Sequence, residues 1–250
     1  MHNTLTFPDL LRLIDERSAA FRAAVAAAPG LDAPVPSCPG WTLLDLVQHI
    51  GVGRQYWATI VAAGPAGAPP AKPAPPAQPD LQWVADSTEQ LLDALRDAGP
   101  DRGCWTWWDR SQAPQTAGAV ARHQLQELAV HTYDAQLTAG DPQPLPDQIA
   151  LDGVEEFLVT CVATTSPWPH EPAILDYHVT EGRSWRLWFS ADGARVARLD
   201  PGAAGEPAGL TGTGTASDLV LTMYARLPLD VLKLDGDRRI LDQLVEWEPA

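Results

Sequence analysis

The apolar residues of the first 145 positions recur at helical spacing, and beyond Pro146 they begin to alternate. A chain with that change of period builds helices first and a sheet afterwards. Leu10, Leu13, Ile14, Phe21 and Val25 predict a helix over Phe7–Ala28, ended by Pro29-Gly30. Thr42, with Asp45 three residues on, reads as a capping box that opens a second helix closing at Gly64. A third helix is expected over Leu81–Ala98 and a fourth from Ala119 to about Ala139, stopped by Gly140. Pro65–Asp80 is rich in Pro and Ala and has no period; its prolines lack the amide donor, so it reads as an extended, mobile excursion. Cys104–Gly118, CWTWWDRSQAPQTAG, reads as an irregular aromatic loop. Four helices on short to moderate connections predict a four-helix bundle.

After Pro146 a helix is expected over Asp147–Ala163, then strands ILDYHVT, SWRLWFS and ARVARLD. In the second of these Trp185, Leu187 and Phe189 alternate with Arg186 and Trp188, and Asp192-Gly193 marks a hairpin before the third. The strand AGLTGTG then leads to the helix SDLVLTMYARL, and the strand VLKLDGD to the helix RRILDQLVEW. The expected fold class is α+β, with a helical bundle over residues 1–145 and a small α+β domain over 146–250.

Charge narrows the function. With 32 acidic against 17 basic residues the chain carries a net charge of −15, which repels phosphate backbones and anionic membranes. No apolar run approaches the roughly 18 residues of a membrane span, and MHNTLTFPDLL lacks the pattern of a signal peptide. A cytoplasmic protein with no nucleic-acid or membrane partner is expected. Three widely spaced cysteines without a CxxC support neither a disulfide framework nor a cysteine zinc site. Some of the ten tryptophans are expected in the core, others on pocket walls.

One pattern carries chemistry. In VARHQLQELAVHTYDAQL, Glu127 and His131 stand four apart, on one helical face. His49, in the second helix of the same bundle, can supply a third ligand, since bundle interiors assemble metal sites from facing helices. Two imidazoles and one carboxylate suit Zn²⁺ with an open fourth position, and equally Fe(II) as a facial triad. Each piece also has a plainer reading: His49 as a core histidine, Glu127 and His131 as a surface ion pair. His2, His123, His170 and His178 are expected to be structural or solvated. Trp41 is expected to pack in the core.

Two segments together resemble a known family. CPGWTLLDLVQHIGVG and QELAVHTYDAQ are similar to the two signatures of the mycothiol-dependent maleylpyruvate isomerase family, and GTASDLVLTMYARLPLDVLKLDGD resembles its C-terminal domain. The resemblance implies a DinB-like metal-binding bundle followed by an α+β domain, with His49, Glu127 and His131 as metal ligands. It also implies that Arg226 shapes the thiol or substrate site, although an arginine there serves equally as a charge at a helix C-terminus. A divalent cation, zinc first and iron second, and mycothiol as thiol cosubstrate are the implied cofactors. The expected chemistry is addition of the thiol to a small electrophile, giving cis–trans isomerisation or S-transfer. Asp45 or Asp134 can orient a ligand imidazole. The Pro/Ala excursion and the aromatic loop are departures from the family pattern and candidates for the pocket mouth, which leaves the substrate open. Two other functions fit the same residues: Fe(II)-dependent oxygen chemistry on sulfur, and a non-catalytic small-molecule-binding protein.

Overall fold

The computed structural model describes residues 5–200 and 206–247; His2 lies outside them. The chain divides into two compact units, one of residues 1–107 and 115–145, the other of 108–114 and 146–250.

The first unit is built on four helices: α1 (Phe7–Ala27), α2 (Leu43–Ala63), α3 (Leu81–Ala98) and α4 (Ala117–Ala139). Helix α1 packs on α3 and α4, and α2 packs on the same two. Their apolar faces meet in a core that includes Phe21, Leu43, Leu46, Val47, Ile50, Val84 and Leu128. Every helix start carries a side-chain cap. Thr6 with Asp9 and Thr42 with Asp45 form complete capping boxes, and Asp80 and Thr116 each accept an amide hydrogen of the first turn. The Thr116 cap sets α4 going two residues earlier than its pattern predicts. Gly118 reads as loop in sequence, yet it lies inside the helix, and the position takes glycine because a Cβ there would sit 2.9 Å from the Pro100 carbonyl oxygen.

Gly51 serves a similar purpose in the middle of α2, where a Cβ would fall 2.3 Å from the Trp83 ring on α3. Alanine normally favours a helix over glycine by about 1 kcal/mol. Here the overpacking costs more, so Gly51→Ala is expected to lower stability by about 1–3 kcal/mol in urea unfolding.

Between α2 and α3, residues 64–80 form no helix or strand. The neck of the aromatic loop is closed by a bridge between Gly103 and Thr116, and by the Cys104 amide donating to the Gln115 carbonyl.

The second unit opens with α5 (Asp147–Phe157), which passes into a π-helical turn over Leu158–Val162. A single α-helix to Ala163 is expected from sequence; the widened turn leaves no Gly or Pro to announce it. Five strands follow, β1 (Ala173–Val179), β2 (Ser184–Ser190), β3 (Gly193–Arg198), β4 (Leu210–Gly214) and β5 (Lys233–Gly236), with α6 (Ala216–Met223) and α7 (Arg239–Glu246). The sheet order is β3-β2-β1-β4-β5, antiparallel except for the parallel pair β1–β4. Trp185, Leu187 and Phe189 are buried while Trp188 is exposed, the period-two pattern of a sheet with one covered face. Asp176 and Arg186, opposite each other in the register, pair through two 2.7 Å hydrogen bonds. The segment 108–114 belongs to this unit. Its Gln112 side chain donates to the Val196 carbonyl at 3.0 Å and accepts the Val196 amide at 2.6 Å, extending the β3 edge. No described helix is long and apolar enough to cross a membrane.

Candidate metal centre

The turn before α2 organises the site. Pro39-Gly40 occupies its central positions, Gly40 has φ +83°, and the Trp41 amide donates to the Cys38 carbonyl at 3.0 Å. That is the geometry of a type II turn, which needs glycine at its third residue. The turn sets Trp41 beside two imidazoles: its ring centroid lies 5.1 Å from His49, and 6.4 Å from His131 in a stacked arrangement. Trp41 packs on the bundle core as expected, and it also walls the histidine pair.

Helix α2 brings in His49 and helix α4 brings in Glu127 and His131. Donor atoms of the three residues all lie within 4.8 Å of one another. His49 Nε2 is 3.1 Å from Glu127 Oε1, and the two imidazole centroids are 4.9 Å apart. Two ligands on one tetrahedral zinc, each bonded at about 2.0–2.1 Å, stand about 3.3 Å apart, so the cluster has the dimensions of a cation site. The side chains of His49, Glu127 and His131 are 30%, 20% and 13% exposed, so the cluster is partly accessible to solvent.

The surrounding hydrogen bonds hold the donors in a ligating state. Asp134 is fully buried and sits between three donors: His131 Nδ1 at 2.8 Å, Ser37 Oγ at 2.6 Å and Cys38 Sγ at 3.5 Å. A carboxylate on Nδ1 fixes the imidazole with its proton there and its lone pair on Nε2, the usual second partner of a metal-ligating histidine. Burial lowers the His131 pKa and outweighs the opposing pull of Asp134, which favours the neutral, ligating imidazole. Burial acts to raise the Glu127 pKa, but the hydrogen bond from His49 and the charges of Arg54, His49 and His123 prevail, and the carboxyl is held well below its usual range. Asp45, the other candidate for orienting an imidazole, is engaged in the Thr42 cap. Cys38, His131 and Asp134 form a second group of possible donors sharing His131. Both Asp134 oxygens are already occupied by donors, and the group acts as the support of the first.

Sequence reasoning passed over the residues behind Glu127. Arg54 is completely buried; its Nη1 lies 3.9 Å from Glu127 Oε2 and donates to the Gln124 carbonyl oxygen at 3.0 Å and to Gln124 Oε1. Gln124 Nε2 in turn donates to Glu127 Oε2 at 2.6 Å. The only hint was spacing: Gln124 stands three residues before Glu127. His123, one turn before Glu127 on α4, lies against the rings of Trp57 and Trp107, with centroids 6.3 and 5.6 Å away. Arg226 belongs to the second unit, just past the end of α6, where its Nη1 donates to the Tyr224 carbonyl at 2.8 Å. His178 donates to or accepts from Ser184 Oγ at 2.6 Å across the sheet, and His170 packs against Trp168.

A four-helix bundle carrying a His/Glu/His cluster, joined to a small mixed-sheet unit, defines a two-part protein with a candidate cation site in its bundle. Residues 11–136 match the family described as the mycothiol maleylpyruvate isomerase N-terminal domain, and residues 148–243 match the MDMPI C-terminal domain. The chain belongs to the mycothiol-dependent maleylpyruvate isomerase family. Its fold is similar to crystal structures of the mycothiol-dependent maleylpyruvate isomerase and of a histidine-to-alanine mutant of that enzyme. Both are 13% identical, with 93% of this chain and 95% of theirs covered, at TM-scores of 0.57 and 0.59 respectively. Among curated protein sequences none matches significantly.

Proposed function

We propose that this chain is a thiol-dependent isomerase in which His49, Glu127 and His131 hold a divalent cation, zinc, and mycothiol is the thiol. The observation that carries the reading is the convergence of three donors from two helices, with Nδ1 of His131 already bound to a buried carboxylate. The family supports the thiol and the isomerase activity. When bound, the cation supplies the Lewis acidity that brings a thiol pKa into the neutral range.

The chain's own residues do the remainder. Asp134 keeps the His131 proton on Nδ1, and Arg54 with Gln124 keeps Glu127 ionised and aimed. Trp41 shields the imidazoles on one side. The planar fork of Arg226, in the second unit, is suited to a carboxylate. The thiol sulfur adds to one carbon of an activated double bond, the resulting single bond rotates, and the sulfur leaves with the double bond restored. No thiol is consumed. If the adduct is released instead, the same site performs S-transfer.

Thiol stoichiometry separates these outcomes. Mycothiol and maleylpyruvate are mixed with the zinc-loaded protein, and double-bond geometry and free thiol are followed together. Turnover with a trace of thiol that is not consumed is the expected result; one thiol lost per turnover identifies a transferase. No thiol-dependent reaction of maleylpyruvate or of other unsaturated electrophiles would sink the proposal. Asp134→Asn is expected to weaken zinc binding about 10–100-fold, measured by competition with a chromogenic chelator.

A further inference from the structure

The donor cluster is one end of a longer stripe on α2 and α4. His49, Gly53 and Trp57 recur every four residues on α2, and His131, Glu127 and His123 recur every four in the opposite direction on α4, so each set shares one helical face. The two faces meet pair by pair. The His49 and His131 ring centroids are 4.9 Å apart, a Cβ on Gly53 would sit 3.9 Å from Glu127 Oε1, and the Trp57 and His123 centroids are 6.3 Å apart. Metal donors thus occupy one end of the stripe and aromatic rings the other. The loop before α4 adds to the aromatic end. Trp107 meets His123 in a T-shaped arrangement with centroids 5.6 Å apart, and Trp105 stacks on Trp57 at 6.4 Å. At a rise of about 1.5 Å per residue, His123 lies about 6 Å along α4 from Glu127.

Two details distinguish this aromatic end from ordinary loop packing. The first is Gly53. At Gly51 a Cβ would collide with Trp83, so packing demands glycine there. At Gly53 the nearest atoms across the helix interface are the two Glu127 carboxylate oxygens at 3.9 and 4.0 Å, an ordinary contact. Packing does not require glycine at this half-buried position, and only proline is less favourable inside a helix. The effect of Gly53 is to leave the strip between the donors and the rings free for a close approach. The second detail is Trp107, whose ring touches His123 and is nonetheless 46% exposed. It is an accessible indole continuous with donors that are themselves partly accessible.

We propose that the stripe seats an aryl enone, with its reacting double bond at the donor cluster and its ring against His123 and Trp107. This substrate class rests on the thiol-dependent reading above. An electrophile that takes up a thiol has its double bond conjugated to a carbonyl, and an aryl ketone carries that plane on to a ring at about the 6 Å of one helical turn. Indole and imidazole rings favour contact with a flat π system over an aliphatic group of the same size. A short aliphatic electrophile would leave the aromatic end uncovered.

The test reads binding and turnover separately. Methyl 3-benzoylpropionate and its cyclohexyl counterpart are of one size and have no double bond, so no thiol chemistry enters their isothermal titration into the full chain. The phenyl probe is expected to bind about fivefold more tightly, the share of one aromatic contact. Trp107→Ala is expected to reduce that preference to within about twofold. Gly53→Leu fills the strip and is expected to weaken both probes more than about tenfold. Trp188→Ala, at an exposed tryptophan of the second unit, is expected to change neither, with the melting temperature confirming an intact fold in each variant. No binding of either probe, equal binding of the two, or a phenyl preference that survives Trp107→Ala would overturn the proposal. In turnover with mycothiol, methyl cis-3-benzoylacrylate is expected to isomerise with a kcat/KM about tenfold above that of methyl cis-3-acetylacrylate. Turnover of the aliphatic ester alone would overturn the aryl assignment and keep the thiol chemistry. Phenyl-selective binding without thiol-dependent turnover of either ester would overturn the thiol reading and leave an aryl-binding stripe.

Discussion

Purified protein is expected to hold about one zinc per chain, and His49→Ala and His131→Ala are expected to lose it along with thiol-dependent turnover. A Lewis acid contributes several kcal/mol to the stabilisation of developing charge, which places the loss of turnover on the order of 10³-fold. Each variant removes a donor from the only group that joins α2 to α4 through two imidazoles and a carboxylate among the described residues. The remaining pair makes a weak site. His131 is a partner of the buried Asp134 carboxylate and His49 of Glu127, so both variants are expected to lose some stability, and metal content is compared on protein whose circular dichroism shows the fold intact. Elemental mass spectrometry on parent and variants decides the matter. About one iron per chain would replace zinc in the assignment and bring oxygen chemistry forward. Protein that remains metal-free after incubation with divalent cations would end the metal reading.

Glu127 is expected to behave differently from its two partners. Its carboxylate is the counter-charge of Arg54, which is 0% exposed and whose Nε and Nη2 have no hydrogen-bond partner among the described residues. Breaking a buried pair by removing one charge costs about 3–5 kcal/mol, because the other charge stays behind. The 3.9 Å separation and the partial exposure of Glu127 place this pair near the low end, so Glu127→Gln is expected to lose about 3 kcal/mol. The measurement is urea unfolding of chelator-treated protein, which removes any contribution from bound metal. Adding Arg54→Met is expected to recover more than half of the loss. A Glu127→Gln variant as stable as the parent would overturn the pairing. The pH dependence has a definite sign. The folded Glu127 carboxyl titrates below its unfolded value of about 4.3, so its contribution is fully present above that value. It is lost as pH falls through the folded pKa. Parent and variant are therefore expected to converge in stability as the solution is acidified.

The elements that sequence reading found are those whose signals are local. Thr42 and Asp45 announce the start of α2 within four residues, and Gly64 and Gly140 announce the ends of α2 and α4. The α+β class followed from one change of apolar period, and the observed sheet agrees with it. His49, Glu127 and His131 could be grouped from sequence because helical spacing puts two on one face and the facing helix of the bundle offers the third, the set that the family resemblance also implies; the structure brings their donor atoms together. What was not legible depends on contacts between distant segments. Asp134 gathers Ser37 and Cys38 from almost a hundred residues away, and Arg54 meets Gln124 across 70. Trp41 looked like packing because its place over two imidazoles exists only once the turn and α4 are together. The π-helical turn after Phe157 escaped notice because one extra residue in a turn leaves an apolar pattern nearly unchanged.

The 78 positions that separate His49 from Glu127 have a kinetic meaning. The donors meet only after α2 and α4 have docked across that loop, and long-range closures of this kind form late. A cation that recognises the docked arrangement cannot hasten the search for it. It slows escape from the native basin instead, since interactions absent from the transition state act on the unfolding rate. The unfolding limb of a chevron plot should therefore respond to the metal, while the refolding limb should scarcely move.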